Sequence, residues 1–301
     1  MYRYAEYLHF PEIAWSAFLD RLQRRLPASR LEYGPDPHQV AYYLRPAADG
    51  SEGEARPRRP LIVYVHGGGW RRGHPSQFRF VGRYFARLGY SVLIPGYRLG
   101  PTYQFPDQIE DLRRGIETFQ QTPFARRQGF SSVVVIGQSA GGHLGAHIAY
   151  ELARKSGAGS ELLAPAPIGV PLRVQGFISI SGVLSFETAA WRYLEGLIKN
   201  TAATAGLRRI ADPRHAVDTA DKELPTLLIH GGEDRIVPQE IGREYAKRHT
   251  ERFGSPPARL DLPWAKHNEL ALLFLGRRGR ATALMVQWLR AAEERKDHDA
   301  E

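Results

Sequence analysis

Residues 137–141 have the types and spacing of a nucleophile site. They read Gly-Gln-Ser-Ala-Gly and directly follow an apolar run at 132–136. On a sharp turn between a strand and a helix, small neighbours leave room for a serine hydroxyl to stand exposed at the edge of a sheet. The amides at the start of the following helix favour negative charge that develops there. The pattern predicts Ser139 as a nucleophile, although the same five letters also arise by chance on glycine-rich turns.

A second candidate element is the His-Gly-Gly-Gly-Trp run at 66–70, after an apolar run at 61–65. Glycines leave backbone amides open on their side-chain face. Two amides of this loop, together with the amide of Ala140, would form an oxyanion hole. The run lacks both G-x-G-x-x-G and the Gly-Lys-Ser/Thr ending of phosphate-binding loops, which argues against nucleotide binding.

A serine nucleophile needs a base to take its proton and an acid to orient that base. His267 follows an apolar run at 259–262, and both Glu233 and Asp234 follow the run at 226–230. The chain order serine, acid, histidine is one of the known orders of such triads. At this point either carboxylate could be the acid.

His143 and His147 are four residues apart on a predicted helix and could in principle share a metal ion. The segment lacks the glutamate of H-E-x-x-H and a third ligand, so packing is the better interpretation and we predict no metal and no cofactor. Arg71 and Arg72 could bind a substrate carboxylate or form a solvated pair.

Apolar runs rich in β-branched residues alternate with stretches of helical spacing, which predicts an α/β fold with a mostly parallel, doubly wound sheet flanked by helices. The expected strands are 39–44, 61–65, 91–95, 132–136, 174–180, 226–230 and 259–262, and the expected helices are 11–26, 78–88, 107–121, 141–154, 239–253 and 281–295. Residues 47–60 are rich in Gly, Pro and charge, which is typical of a mobile surface turn.

We expect a single domain over residues 1–301, with an N-terminal helical segment at 1–38. Residues 157–171 and 185–221 interrupt the alternation, and insertions after strand ends tend to cover the ligand crevice, so we expect them to form a small partial cap. Trp191 lies in this cap, and Trp70 and Trp264 adjoin the predicted site loops. These three rings are candidate substrate-binding residues for a small aryl or short acyl ester, with a place in the core as the alternative.

The chain has 301 residues, of which 43% are hydrophobic and 24% charged, as in ordinary globular proteins. It contains no cysteine, which excludes disulfides, a thiolate nucleophile and Cys-ligated metals. The net charge of +9 is scattered, so we expect no nucleic-acid partner. The sequence has no apolar stretch of about 20 residues and no apolar signal region near its start, so we expect a cytoplasmic protein without a membrane span.

These motifs resemble α/β-hydrolases of the hormone-sensitive-lipase and carboxylesterase type, close to the bacterial esterase, kynurenine formamidase and isoprenylcysteine methylesterase branch. The likeness spans most of the chain and rests on the segments at 33–35, 66–70, 95–99, 105–106, 137–142, 181–182 and 237–238, with Asp111 and Asp234. It implies Ser139, Asp234 and His267 as the catalytic residues. It also implies Gly68, Gly69 and Ala140 as the oxyanion donors, and a homodimer as one candidate assembly.

Gln138 stands where many relatives have Asp and formamidases often have His, which favours the methylesterase variant. The resemblance thus predicts a serine carboxylesterase that cleaves small esters through an acyl-enzyme intermediate. Two alternatives stay open: an arylformamidase or other amidase acting on a formamide substrate, and a non-hydrolytic acyl-transfer or cyclisation enzyme. A binding protein without catalysis is disfavoured because no predicted triad position is replaced.

Overall fold

A computed structural model describes residues 27–46, 59–154, 172–187, 192–275 and 279–294. Its centre is one eight-stranded sheet in the order β1-β2-β4-β3-β5-β6-β7-β8. The strands are β1 (Ala28–Glu32), β2 (Val40–Leu44), β3 (Leu61–Val65), β4 (Val92–Pro95), β5 (Ser132–Gln138), β6 (Arg173–Ile180), β7 (Thr226–Gly231) and β8 (Ala258–Leu262).

The sheet is antiparallel only at one edge. β1 pairs antiparallel with β2 and β2 with β4, whereas all pairs from β4 through β8 are parallel. Every residue of β3 and β5 is buried, as expected for central parallel strands covered on both faces. The predicted α/β architecture with a mostly parallel sheet is confirmed.

Helices cover both faces. The helices are α1 (Arg79–Arg87), α2 (Asp107–Gln120), α3 (Pro123–Gln128), α4 (Ala140–Ala153), α5 (Arg192–Ile198), α6 (Ala205–Ala211), α7 (Pro213–Asp218), α8 (Gln239–Phe253), α9 (His267–Ala271) and α10 (Arg280–Glu294). One apolar core lies between the sheet and α2, α4, α7 and α8, and the other between the sheet and α1, α9 and α10. Because connected strands are parallel, their carboxyl ends meet at one edge, where the predicted site loops follow.

The prediction of a helical segment over 1–38 is wrong for its last part. Residues 28–32 form β1, which pairs along its whole length with β2 from Ala28 opposite Leu44 to Glu32 opposite Val40. Arg30 and Glu32 flank a single leucine, so this half-exposed edge strand lacks the apolar run of the buried strands. The predicted helix at 11–26 lies outside the described residues.

The two predicted cap insertions are described only in part. Residues 157–171, and 47–58 of the predicted surface turn, lie outside the described residues. Of 185–221, the described part holds three short helices, α5, α6 and α7. Among the described helices, none is long and apolar enough to cross a membrane.

Candidate active site

Ser139 sits on the turn between β5 and α4, with φ 55° and ψ −123°. Such a left-handed backbone costs a non-glycine residue about 1–3 kcal/mol, which its surroundings must offset. They leave no room for larger neighbours: a Cβ on Gly137 would lie 2.2 Å from the Gly141 carbonyl oxygen, and one on Gly141 2.1 Å from the Val65 oxygen. The tight packing of two strands against the helix start thus holds the serine in its strained conformation.

His267, the first residue of α9, bridges the serine and a carboxylate. Its Nε2 lies 2.8 Å from Ser139 Oγ, and its Nδ1 lies 2.7 Å from Asp234 Oδ2. All three residues are buried. Because a carboxylate only accepts, Nδ1 carries the ring proton and Nε2 is left to accept from the serine hydroxyl. The arrangement can therefore take the proton from Ser139 and stabilise the imidazolium that results.

Asp234 is held by its own loop. Its Oδ1 accepts from the amides of Ile236 (3.0 Å) and Val237 (2.8 Å), so only Oδ2 faces the imidazole. Burial alone would raise its pKa, but His267, the hydrogen bond from it and the Val237 amide together hold the pKa of Asp234 below its ordinary value. Glu233, the other candidate acid, is exposed, and the structure brings only Asp234 to the imidazole.

The acid loop and the histidine loop are joined by backbone contacts. The Glu233 amide donates to the Ala265 oxygen at 3.1 Å, and a Cβ on Gly231 would lie 2.2 Å from that same oxygen. His230 Nε2 donates to the Val237 oxygen at 2.8 Å. These bonds fix the distance between Asp234 and His267 although 33 residues separate them in the chain.

The glycine run lies directly against the serine turn. A Cβ on Gly67 would lie 2.4 Å from Gln138 Oε1 and 3.1 Å from Ser139 Cβ. Gly68 and Gly69 have φ of 132° and 59°, conformations open to glycine. Among the described residues, none accepts a hydrogen bond from the amides of Gly68, Gly69 or Ala140. Such amides can serve an oxyanion.

Buried rings fix the start of this loop. The His66 ring stacks between Phe78 and Tyr97, with ring centroids 5.2 Å and 4.6 Å away. Its Nδ1 donates to the Gly67 oxygen, and Tyr97 Oη donates to the His66 oxygen. Burial lowers the pKa of His66 to about 4, so the ring is neutral at pH 7.

The three candidate substrate-binding tryptophans fall in different places. The prediction that Trp70 contacts substrate is wrong, because its side chain is fully buried and its Nε1 donates to His143 Nδ1 at 3.1 Å. The positive φ of 58° at Trp70 turns its backbone sharply, and the indole packs in the core. Trp264 is 62% exposed on the turn before His267, and Trp191 lies outside the described residues. Arg71 and Arg72 are exposed.

Two residues from the 185–221 insertion reach the glycine loop and were not predicted. Asn200 Nδ2 donates to the Gly69 oxygen at 3.2 Å, and Leu197 Cδ2 would lie 3.2 Å from a Cβ on Gly69. They contact the loop from about 130 positions away in the chain, so no local pattern could have found them.

His143 and His147 share one hydrogen-bond acceptor. Both donate from Nε2 to the Ala211 oxygen, at 2.7 Å and 2.8 Å. Within the described ranges, no group of three or more His, Asp or Glu side chains is arranged to hold a metal ion. The packing interpretation agrees with these contacts.

Comparison with known proteins assigns the chain to a family. The family described as BD-FAE matches residues 51–248, about two thirds of the chain. The chain belongs to the BD-FAE family. The predicted likeness to α/β-hydrolases of the hormone-sensitive-lipase and carboxylesterase type is confirmed by this match and by the relatives below.

Esterase LipC of Mycobacterium tuberculosis is 26% identical over 257 residues, which cover 82% of this chain and 61% of LipC. The probable isoprenylcysteine alpha-carbonyl methylesterase ICME of Oryza sativa is 24% identical over 197 residues, 62% of this chain and 46% of ICME. This BD-FAE chain spans 46% to 61% of the length of four of the curated relatives it matches, LipC and ICME among them.

Solved structures share the fold. Esterase B from Lactobacillus rhamnosis superposes with a TM-score of 0.70 at 21% identity and covers 95% of this chain and 94% of its own. The butyrate-bound esterase Est2 from Thermogutta terrifontis gives a TM-score of 0.62 at 24% identity, with 89% of this chain and 92% of its own covered. The BD-FAE chain therefore has the α/β-hydrolase fold.

Proposed function

We propose that this protein is a serine carboxylesterase that cleaves small carboxylic esters through an acyl-enzyme intermediate. The observation that carries the proposal is the buried hydrogen-bonded chain from Ser139 through His267 to Asp234, on a strained turn at the helix start. The esterases among the relatives and structural neighbours agree with it, including a neighbour that binds butyrate.

In the first half-reaction, Ser139 Oγ attacks the acyl carbonyl while its proton moves to His267 Nε2. Asp234 keeps Nδ1 protonated and stabilises the imidazolium. The carbonyl oxygen becomes an oxyanion bound by the amides of Gly68, Gly69 and Ala140, each worth about 3 kcal/mol in the transition state. The leaving alcohol takes the proton from Nε2, and the acyl group remains on the serine.

In the second half-reaction, Nε2 takes a proton from water, and the hydroxide attacks the acyl-serine carbonyl. The same amides bind the second oxyanion. The acid leaves as the proton returns from Nε2 to Ser139 Oγ. No cofactor takes part in this sequence.

The test is hydrolysis of p-nitrophenyl esters from acetate to octanoate, with N-formylkynurenine alongside and Ser139→Ala as the blank. We expect rapid cleavage of short esters that is lost in Ser139→Ala while the variant keeps its fold and melting temperature. Ser139-independent turnover would contradict the proposal. Cleavage of the formamide alone would move the protein to the amidase alternative, which uses the same three residues.

A further inference from the structure

A buried hydrogen-bonded link runs from Trp70 of the glycine loop through His143 of α4 to the 185–221 insertion. Trp70 Nε1 donates to His143 Nδ1 at 3.1 Å, and His143 Nε2 lies 2.7 Å from the Ala211 oxygen. Both side chains are fully buried. His143 lies one helical turn after Ser139, and its amide donates to the Ser139 oxygen at 3.3 Å. The link therefore ties the glycine loop to the turn that carries the serine.

The two hydrogen bonds fix one state of the His143 ring. An indole N–H only donates, so Nδ1 must be unprotonated to accept from Trp70. The ring proton is then on Nε2, where the Ala211 carbonyl accepts it. Burial and the neighbouring His147 lower the pKa of His143 well below its ordinary value, which favours the neutral ring that the two hydrogen bonds require.

Phe186 and the segment around Asp212 hold the His143 ring in place. Phe186 stacks on His143 with ring centroids 5.1 Å apart and an interplanar angle of 17°. Its own amide donates to Asp212 Oδ2 at 2.8 Å, and Asp212 directly follows Ala211. The insertion thus supplies both the acceptor for Nε2 and the ring that stacks on the imidazole.

Trp70 is the residue of the loop that needs such support. Gly68, Gly69 and Trp70 have successive positive φ values of 132°, 59° and 58°, and of these only Trp70 carries a Cβ. A non-glycine residue relaxes to negative φ unless tertiary contacts prevent it. Two hydrogen bonds hold Trp70: the Gly100 amide donates to its oxygen at 2.8 Å, and its indole donates to His143. The indole also packs edge-on against Phe186.

A change at Trp70 would reach the amides before it. The Gly68 oxygen accepts from the amides of Arg71 and Arg72, so residues 68–72 form one closed turn around Trp70. Rotation of the Trp70 backbone would move the adjoining Gly68 and Gly69 amides, the proposed oxyanion donors. Donors must lie within a few tenths of an ångström of their position to stabilise an oxyanion.

We propose that His143 is a positioning residue for the oxyanion hole: through Trp70 it holds the left-handed turn that aims the Gly68 and Gly69 amides. This inference rests on the proposed esterase function. His143 touches neither substrate nor reacting atoms, and it acts in one defined tautomer, as acceptor for the indole and donor to the insertion.

The experiment compares steady-state hydrolysis of p-nitrophenyl butyrate by the wild type and five variants. His143→Leu removes both hydrogen bonds, and Trp70→Phe removes the indole donor but keeps a ring in the core. We expect each to lower kcat by about 10- to 100-fold with KM nearly unchanged, because misaligned donors weaken binding of the transition state and not of the ester. The double variant should lose no more than the stronger single variant, because both break the same link.

His143→Gln offers an amide oxygen to the indole and an amide N–H to Ala211, so it should restore most of kcat. His147→Leu is the matched control: it is buried on the same helix and bonds the same carbonyl, but it is not bonded to Trp70. It should keep the wild-type kcat even where it lowers the melting temperature. In the wild type, the ¹⁵N shifts of the His143 ring should show Nε2 protonated and Nδ1 unprotonated.

An unchanged kcat in folded His143→Leu or Trp70→Phe overturns the inference, as does an equal loss in His147→Leu or a protonated Nδ1 at His143. If His143→Leu does not fold, Trp70→Phe carries the kinetic test. Wild-type turnover that does not depend on Ser139 overturns the esterase proposal and this inference with it. Ser139-dependent turnover that is indifferent to both Trp70 and His143 overturns this inference alone.

Discussion

Replacing Asp234 by Asn should change which nitrogen of His267 is protonated, because the loop around residue 234 fixes the positions of the two side-chain oxygens. Oδ1 accepts from the amides of Ile236 and Val237, so the oxygen of Asn stays on those amides. The new NH₂ group then takes the place of Oδ2, 2.7 Å from His267 Nδ1. Two donors would face each other unless the ring moves its proton from Nδ1 to Nε2.

That tautomer cannot take a proton from Ser139, because Nε2 now carries one and points it at Oγ. We expect kcat to fall by about 10⁴-fold, which corresponds to a barrier higher by about 5.5 kcal/mol. The melting temperature should change little, since both bonds from the loop amides are kept. KM should also change little, because ground-state contacts to the ester are untouched.

Glu233→Gln is the matched control, since this neighbouring carboxylate is exposed and is not bonded to the imidazole. The assay is burst and steady-state hydrolysis of p-nitrophenyl butyrate at pH 8 for both variants. Glu233→Gln should match the wild type. A loss of less than about tenfold in Asp234→Asn would show that Asp234 does not set the tautomer of His267. A large loss in Glu233→Gln alone would make Glu233 the acid.

Three further outcomes follow from the structure. Burial lowers the pKa of both His66 and His147 from 6.5 to about 4, so the native state binds fewer protons than the unfolded chain between these values. The free energy of unfolding, measured by urea titration, should therefore fall by up to about 3 kcal/mol per histidine as the pH drops from 6.5 to 4. The fall should be less steep in His147→Gln. Burial raises the pKa of Glu151 from 4.5 to about 7, although the nearby Arg113 opposes the shift. The effect of Glu151 on stability therefore has the opposite sign, and the free energy of unfolding falls as the pH rises from 4.5 to 7. Glu151→Gln should be more stable than the wild type by about 2–3 kcal/mol at pH 8 and show no gain at pH 4. Gly141→Ala should abolish folding or expression, because its Cβ would lie 2.1 Å from the Val65 oxygen; a folded, active variant in thermal melts would show that the elbow is looser than described.

The sequence predicts best those elements whose signal is local. The buried run at 61–65 and the helical spacing at 239–253 match β3 and α8 at both ends, because burial on both faces and a continuous apolar stripe leave clear patterns. β1 escaped prediction because an edge strand with Arg30 and Glu32 exposed carries no such run. The short helices α5 to α7 escaped prediction because their seven, seven and six residues are too few to show a helical period.

Local sequence patterns predict part of the candidate site, and the rest depends on tertiary contacts. Glycine-containing turns after strands indicate where Ser139 and Asp234 lie along the chain, and His267 follows the run at 259–262 on a turn without glycine. Parallel strands bring such turns to one edge of the sheet. The choice between Glu233 and Asp234 depends on which of two adjacent side chains the turn directs inward, which spacing alone does not decide. The burial of Trp70 depends on a positive φ, and the contact of Asn200 with Gly69 on tertiary packing across about 130 residues.

Active-site titration followed by peptide mass spectrometry tests directly whether Ser139 is the nucleophile. A phosphonate ester that mimics a short acyl substrate should react with one equivalent of protein, and the adduct should map to Ser139. Ser139→Ala should remain unlabelled, and Glu233→Gln should label at the wild-type rate. An adduct on another residue, or ester turnover near the wild-type rate in Ser139→Ala, would contradict the central claim that Ser139 is the nucleophile.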